Sequence, residues 1–269
     1  MTKTPIFVSD HSLGDSILTL SKDIWVKIEE EKEGKKVQTE TTEPDVTDGK
    51  PISIFAIAKK HELSQVILVD SSMSSFWEAY ESARKLGIQL IYGVKLAVAE
   101  DLSQKDDDSR KTESSVIIFA NNTQGYYDLL PIYSQSTVEG GYYHPRTDWK
   151  NLNLKWTANL SLAFPFYSSF IARNIMKFEN RAMPDYRKLG RPMFFVEEHG
   201  LPFDKTLKTS LEKYAAEQGL ELTPTQTCYY YKRADALAYQ TLKCIKNQSV
   251  RSKPNLDHFA VDTFCFENL

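Results

Sequence analysis

The chain reads as an α/β protein whose architecture is a β/α barrel. Short continuous apolar runs, such as Val66-Ile67-Leu68-Val69 and Val116-Ile117-Ile118-Phe119-Ala120, have the form of strands buried on both faces. Segments of helical period separate them, the pattern of a parallel sheet. About seven such units fit into 269 residues, which favours a closed barrel over an open sheet.

Pro5-Ile6-Phe7-Val8 is the first strand. A turn at Ser9-Asp10-His11-Ser12 follows, then Gly14-Asp15-Ser16 and an amphipathic segment from Ile17 to Ile28. Residues 29–50 differ in kind: Glu29-Glu30-Glu31-Lys32-Glu33-Gly34-Lys35-Lys36 leads into a Thr-, Glu- and Asp-rich stretch. Such a segment buries too little apolar surface to offset its ordering entropy. It reads as a mobile charged insertion, with a charged helix extension as the alternative. Ile52–His61 predicts a helix with Ile54, Ala56, Ile57 and Ala58 inward. After the strand at 66–69, Phe76–Leu86 predicts a helix closed by Gly87, the residue type suited to a left-handed cap. Leu90-Ile91-Tyr92-Gly93-Val94 is the next strand, a polar break covers 101–114, and a helix begins at Tyr126 after the strand at 116–120. Strands follow at Leu160–Phe164 and Met193–Val196. Leu207–Gln218 predicts a helix closed by Gly219, and Gln240–Lys246 lies in another.

Apolar residues are 41% and charged residues 26%, the balance of a soluble globular protein. A net charge of −3 gives no global attraction to nucleic acid, so DNA contact needs a local basic patch or a partner. Cys228, Cys244 and Cys265 match no zinc or disulfide spacing and read as reduced thiols of a cytosolic protein. No signal peptide and no run of ~18 apolar residues is visible, so no membrane is expected. Neither a Gly-x-Ser-x-Gly elbow nor a Gly-rich phosphate loop occurs.

A series of motifs carries a family resemblance. Val69-Asp70, a helix, and Lys85-Leu86-Gly87-Ile88-Gln89-Leu90-Ile91-Tyr92-Gly93 come first. Phe119-Ala120-Asn121-Asn122-Thr123-Gln124-Gly125-Tyr126 and Gly141-Tyr142-Tyr143-His144-Pro145-Arg146 follow. Glu198-His199-Gly200-Leu201-Pro202, Asp235-Ala236-Leu237-Ala238-Tyr239 and the closing Phe264-Cys265-Phe266 complete them. In this order and spacing they resemble the PHP domain of bacterial DNA polymerase III alpha subunits, including shortened versions in bacterial viruses. The resemblance covers almost the whole chain outside 29–50, so residues 1–269 are expected to form a single PHP-like domain. It implies a distorted seven-stranded β/α barrel related to the TIM barrel. In active members, histidines and carboxylates at the strand ends hold divalent ions that hydrolyse phosphoesters.

The positions where the resemblance requires ligands hold other residues. The opening His-x-His falls at Val8-Ser9-Asp10, with His11 beside it at a position that is not a ligand. The Asp-His pair is Asp70-Ser71, so Asp70 stands as a vestige. The Glu of the next strand falls at Lys95, which can pair with Asp70 in place of a metal. A His position is near Ser115, a Cys position is Phe166, and the late Asp-x-His is Thr227-Cys228-Tyr229. Phe166 and Tyr229 are large enough to fill a vacated pocket. The resemblance therefore implies a catalytically inactive domain with no cofactor, acting as a binding or scaffolding module in DNA replication. Its partner would be a DNA polymerase or a proofreading exonuclease, with a phage factor acting on a host polymerase as one form. One alternative is a metal-dependent phosphoesterase or 3′–5′ exonuclease using Mn or Zn, with Asp10, His11, Asp15 and Asp70 in its site. Another is the amino-terminal domain of a longer polymerase.

Other constellations read as structural. Tyr142-Tyr143-His144-Pro145-Arg146 and Tyr229-Tyr230-Tyr231-Lys232-Arg233 have the stacking and charge that bind single strands, but each reads first as a loop or strand end. Glu197-Glu198-His199 reads as a polar strand end, and His61 and His258 as surface residues. The most basic stretch holds Arg173, Lys177, Arg181, Arg187, Lys188 and Arg191, with Phe170, Met176, Phe178 and Met183 as exposed apolar neighbours. It is the candidate surface for a partner or a phosphate.

Overall fold

Strand alternation sorts the apolar residues into two layers, and the computed structural model shows both. It describes residues 3–20, 27–32, 35–40, 52–178, 184–252 and 261–269. The first part of the chain holds β1 (Thr4–Phe7), β2 (Lys27–Lys32), β3 (Lys35–Glu40), α1 (Ile54–Lys60), β4 (Gln65–Asp70), α2 (Phe76–Leu86) and β5 (Gln89–Ala99). The middle holds α3 (Asp107–Thr112), β6 (Ser114–Ala120), α4 (Thr123–Val138), β7 (Arg146–Asp148), α5 (Trp149–Lys155), β8 (Leu160–Phe164) and α6 (Phe170–Lys177). The last part holds β9 (Met193–Val196), α7 (Asp204–Gln218), β10 (Leu222–Cys228) and α8 (Ala236–Lys246).

The strands follow the order β4-β1-β10-β9-β8-β6-β5, and β5 pairs back with β4, closing a seven-stranded ring. β7 adds to the outer end of β5, with Ala97–Ala99 opposite Arg146–Asp148. The barrel is mixed rather than all parallel, because β6 runs antiparallel to both β5 and β8. β5 extends through eleven residues to Ala99, and β6 begins at Ser114 against its outer end, with Val98 opposite Ser114, so the chain turns back there through α3.

Inside the ring, Ile6, Val69, Ile117, Phe119, Ala163 and Phe195 form a core contributed by strands alone. Gly93 makes room for it: a Cβ there would stand 2.7 Å from the Phe119 ring. A larger apolar layer lies between strands and helices and includes Leu68, Val94, Leu96, Leu162, Phe164 and Phe194. Gly87 and Gly219 close α2 and α7 with φ of 67° and 64°, as their positions predict.

Local expectations differ from the fold in three places. The segment read as one amphipathic unit from Ile17 to Ile28 is not one element: Thr19 bridges Ser53, Leu18 and Leu20 are buried, and Lys27 opens β2. Within 29–50, where no regular structure is expected, β2 and β3 form an antiparallel ladder from Lys27↔Glu40 to Lys32↔Lys35. Alternating β-formers in Lys35-Lys36-Val37-Gln38-Thr39 permit this despite the charge. Residues 41–50 lie outside the described residues. Finally, the polar break 101–114 contains α3, capped by the Asp106 carboxylate on the Ser109 amide at 2.7 Å.

Candidate functional site at the barrel mouth

The carboxyl ends of β1, β4, β8, β9 and β10 meet the outer half of β5 at one end of the barrel. Asp70 ends β4 beside β1 and is fully buried. Its Oδ1 accepts the Ser9 amide at 2.8 Å and the Ser12 hydroxyl at 2.8 Å, while its Oδ2 accepts the Ser9 hydroxyl at 2.7 Å. Ser12 Oγ in turn accepts the Ser71 amide at 2.9 Å. Val69 packs inside the ring, so Asp70 turns outward and Ser71 turns to the mouth, where it lines a cleft. Asp70 thus ties the loop after β1 to the end of β4.

Lys95, Glu197 and Thr227 continue the inward-facing rows of β5, β9 and β10. Glu197 is buried and accepts the Thr227 hydroxyl at 2.6 Å, the Thr227 amide at 3.1 Å and a bond with His199 Nε2 at 2.9 Å. The other ring nitrogen of His199 meets Thr263 Oγ1 at 3.0 Å, and its face stacks on Phe264 at 3.6 Å. Asp204 accepts the His199 and Leu201 amides and the Tyr167 hydroxyl. Burial, with Asp204 and Glu197 beside it, pushes the Tyr167 hydroxyl far above the usual tyrosine range; burial and Glu197 do the same to Tyr229. Lys95 is partly buried, and desolvation lowers its pKa while Asp15 and Glu197 act through space in the opposite sense.

Asp15 bonds to Lys243 at 2.6 Å and Lys246 at 2.8 Å. Burial raises its carboxyl, but the two ammonium groups outweigh that and hold it below the usual range. Asp10 is exposed. His11 turns away to Glu78 on α2 at 3.1 Å and to Ser74 at 3.3 Å. Arg146 is fully buried and bonds to Glu113 Oε1 at 3.0 Å and to the carbonyls of Gly140 and Gln104. His144 meets the other Glu113 oxygen at 2.8 Å. Burial raises Glu113, but these two partners outweigh it and lower its pKa.

The family model of the PHP domain matches residues 37–193. The chain belongs to the PHP domain family. It is 30% identical over 211 residues to the DNA polymerase III subunit alpha of Borreliella burgdorferi, covering 75% of this chain and 18% of that protein. The same subunit of Deinococcus radiodurans is 26% identical over 71% of this chain and 15% of its own length, and that of Treponema pallidum 27% over 66% and 16%. The chain therefore spans under a fifth of the length of these curated relatives.

The residues of this PHP domain do not fit the metal cluster that the resemblance implies. Such a cluster needs several nitrogen and carboxylate donors aimed at one point. Among the described residues no three His, Cys, Asp or Glu side chains come together in that way. Asp70 accepts from serine donors, Ser71 and Ser115 line the cleft where ligands would be needed, and Lys95 stands there as a lysine. Two expectations about these residues fail. Lys95 forms no ion pair with Asp70 among the described residues, because Asp70 faces outward to Ser9 and Ser12 while Lys95 faces the barrel interior. Phe166 does not fill the mouth; it joins the layer between strands and helices, and its neighbour Tyr167 lines the cleft instead. Tyr229 stacks on Tyr239 at 5.1 Å.

The basic stretch is not one surface. Arg173 and Lys177 line the cleft, whereas Arg191 precedes β9 and bonds the Gly219 carbonyl at the opposite end of the barrel. Arg187 pairs with Asp185, Lys188 is exposed, and Arg181, Met183 and His258 lie outside the described residues. Phe170 is buried rather than exposed, since α6 turns it onto Phe164 and Phe194; Met176 and Phe178 are exposed. His61 meets the Tyr231 hydroxyl at 3.0 Å. The three cysteines are free and buried.

The Glu197–His199 pair is the part of the site that the motif reading missed. Adjacent residues of an extended chain face opposite ways, which set Glu198 apart; it reaches Lys208 on α7 at 3.7 Å. Residues two apart share a face, and that spacing was the available signal.

Proposed function

We propose that this PHP domain is a catalytically silent binding and scaffolding module in DNA replication, with a DNA polymerase or a proofreading exonuclease as partner. One observation carries the reading: the Asp70 carboxylate, the one residue kept from the Asp-His motif, accepts three hydrogen bonds from Ser9 and Ser12, while Lys95 stands inside the mouth. A metal entering beside Lys95 would meet a cation where a carboxylate is needed. The buried hydrogen-bond network of Glu197, His199, Thr227 and Thr263 supports the reading further, because these groups satisfy one another. Kinship with DNA polymerase III alpha subunits supports the replication setting, which would place the protein in the bacterial cytoplasm or, as a phage factor, in an infected host. Among the described residues no helix is long and apolar enough to cross a membrane.

The test has two arms. Plasma emission spectroscopy on purified protein should find no stoichiometric zinc or manganese, and 3′-labelled single-stranded DNA should survive incubation with Mn²⁺. Hydrolysis that disappears in Asp70→Ala, or in Glu197→Gln, would restore the phosphoesterase reading. In the second arm, immobilised protein should retain a replication polymerase or exonuclease from its native cell. Retention of neither would remove the scaffolding role.

A further inference from the structure

The side of the mouth away from Asp70 is open. A cavity of about 440 Å³ lies between the outer half of β5, the start of β6 and α6. Lys95, Arg110, Arg173 and Lys177 line it, against two carboxylates, Asp15 and Glu113. Both carboxylates are already matched by cations, Asp15 by Lys243 and Lys246 and Glu113 by Arg146 and His144. Among the described residues Lys95 makes no hydrogen bond or ion pair, although it is drawn into the barrel interior. Ser71, Ser115 and Ser168 line the same cavity. Arg110 also pairs with Asp107 at 3.6 Å, so the positive charge that no carboxylate meets among the described residues is that of Lys95 and Lys177; with serines on the wall and no metal ligand set, such a pocket suits an oxyanion.

The rim adds a second feature. Tyr143 is 79% exposed and holds φ at +63°, a left-handed conformation that bulky side chains rarely adopt. Its ring lies against the Arg110 guanidinium at 4.6 Å, beside His144 and Pro145 of the cavity wall. Strained backbone that presents an exposed aromatic ring beside a charged pocket is the kind of outlier found at ligand sites. An aromatic face next to a phosphate site matches a nucleotide, whose base stacks while its phosphate is neutralised.

We propose that this cavity is a metal-free site for the phosphate of a nucleotide or of a phosphorylated single-stranded DNA end, with Lys95 as its inner contact and Tyr143 stacking on the base. Arg110, Arg173 and Lys177 supply the outer positive charge. The proposal shares with the scaffolding reading only the premise that no metal cluster fills the mouth.

Fluorescence anisotropy on the full chain in EDTA tests it, using 3′-labelled oligothymidylate with a 5′-phosphate or a 5′-hydroxyl. The phosphorylated strand should bind about tenfold more tightly, the effect of one charge-assisted contact. Lys95→Met should erase that preference, whereas Lys213→Met, exposed on α7, should keep it. Thymidine monophosphate should compete better than inorganic phosphate, and Tyr143→Ala should remove that advantage. If Lys95→Met does not fold by circular dichroism, the double variant Arg110→Gln, Lys177→Gln carries the same comparison. Equal binding of the two strands, a preference that survives these substitutions, or binding seen only with Mn²⁺ would each overturn the proposal. Competition by inorganic phosphate equal to that of the nucleotide would overturn the stacking role of Tyr143 and support the phosphate pocket alone. Hydrolysis of the strand by the protein would overturn the silent-module reading instead, so the two failures are distinct.

Discussion

On the β1–β4 side of the mouth, a buried carboxylate is held by neutral donors, the amide and hydroxyl of Ser9 and the hydroxyl of Ser12. On the β5–β6–α6 side, cationic side chains face a cavity, and the carboxylates there are engaged by other cations. Both sides follow from the absence of metal ligands, with opposite electrostatic results. The serine donors engage both oxygens of this buried carboxylate locally. Burial lowers the pKa of the lysine drawn into the barrel, Asp15 and Glu197 oppose that through space, and among the described residues no carboxylate closes on it. One side is closed by its own donors, and the other stays open and lined by cations.

Substitutions should expose that contrast. The largest effect is expected behind the open side, where Arg146 is buried against Glu113. Arg146→Met should cost about 3–5 kcal/mol in urea unfolding, because it leaves the Glu113 carboxylate with His144 alone and the Gly140 and Gln104 carbonyls without their donor. Adding Glu113→Gln should recover part of the loss, and failure to do so would mean that the carbonyl contacts of Arg146 dominate. Next comes the closed side. Asp70→Ala should cost about 2–4 kcal/mol, since three donors lose a buried acceptor, and the loss should be the same with or without chelator. A loss that depends on chelator would assign Asp70 to a metal. Thr227→Val should cost about 1–2 kcal/mol by removing one of the donors to Glu197, read from the same urea curves.

The smallest effect is electrostatic and depends on pH. Asp15 and Glu113 both have pKa values held below the ordinary carboxylate value. Their contribution to stability is therefore complete above pH ~4–5 and is lost as pH falls through their depressed values, where the unfolded chain binds more protons. Thermal melts from pH 7 down to pH 3 should show the decline, and Asp15→Asn should flatten part of it. An unchanged acid limb in that variant would mean that the Lys243 and Lys246 pairs contribute nothing measurable.

Much of the barrel was legible in the chain because its signals are local. The apolar runs at 66–69, 90–94 and 116–120 all became ring strands, and Gly87 and Gly219 closed their helices. The reversed direction of β6 was not legible, since an apolar run marks a buried strand but not its direction. The site was harder. The motif positions located Ser71, Lys95, Ser115 and Thr227 along the chain and ruled out a familiar ligand set. They could not show that Asp70 faces away from Lys95, that His11 prefers Glu78, or that Phe166 lies outside the ring while Tyr167 lines the cleft.

By itself, then, the sequence determined the strand and helix alternation, the family, and the residue types at each strand end. Those follow from periodicity and from order along the chain, which are properties of neighbours. Only the tertiary structure decided which strand ends face one another and which carboxylates are already occupied. It alone set Ser9 and Ser12 against Asp70, Lys243 and Lys246 against Asp15, and Arg146 against Glu113. Closing the ring brings these residues together from separations of up to 231 positions, and hydrogen bonds and charge act over a few ångströms of space, whatever the distance along the chain.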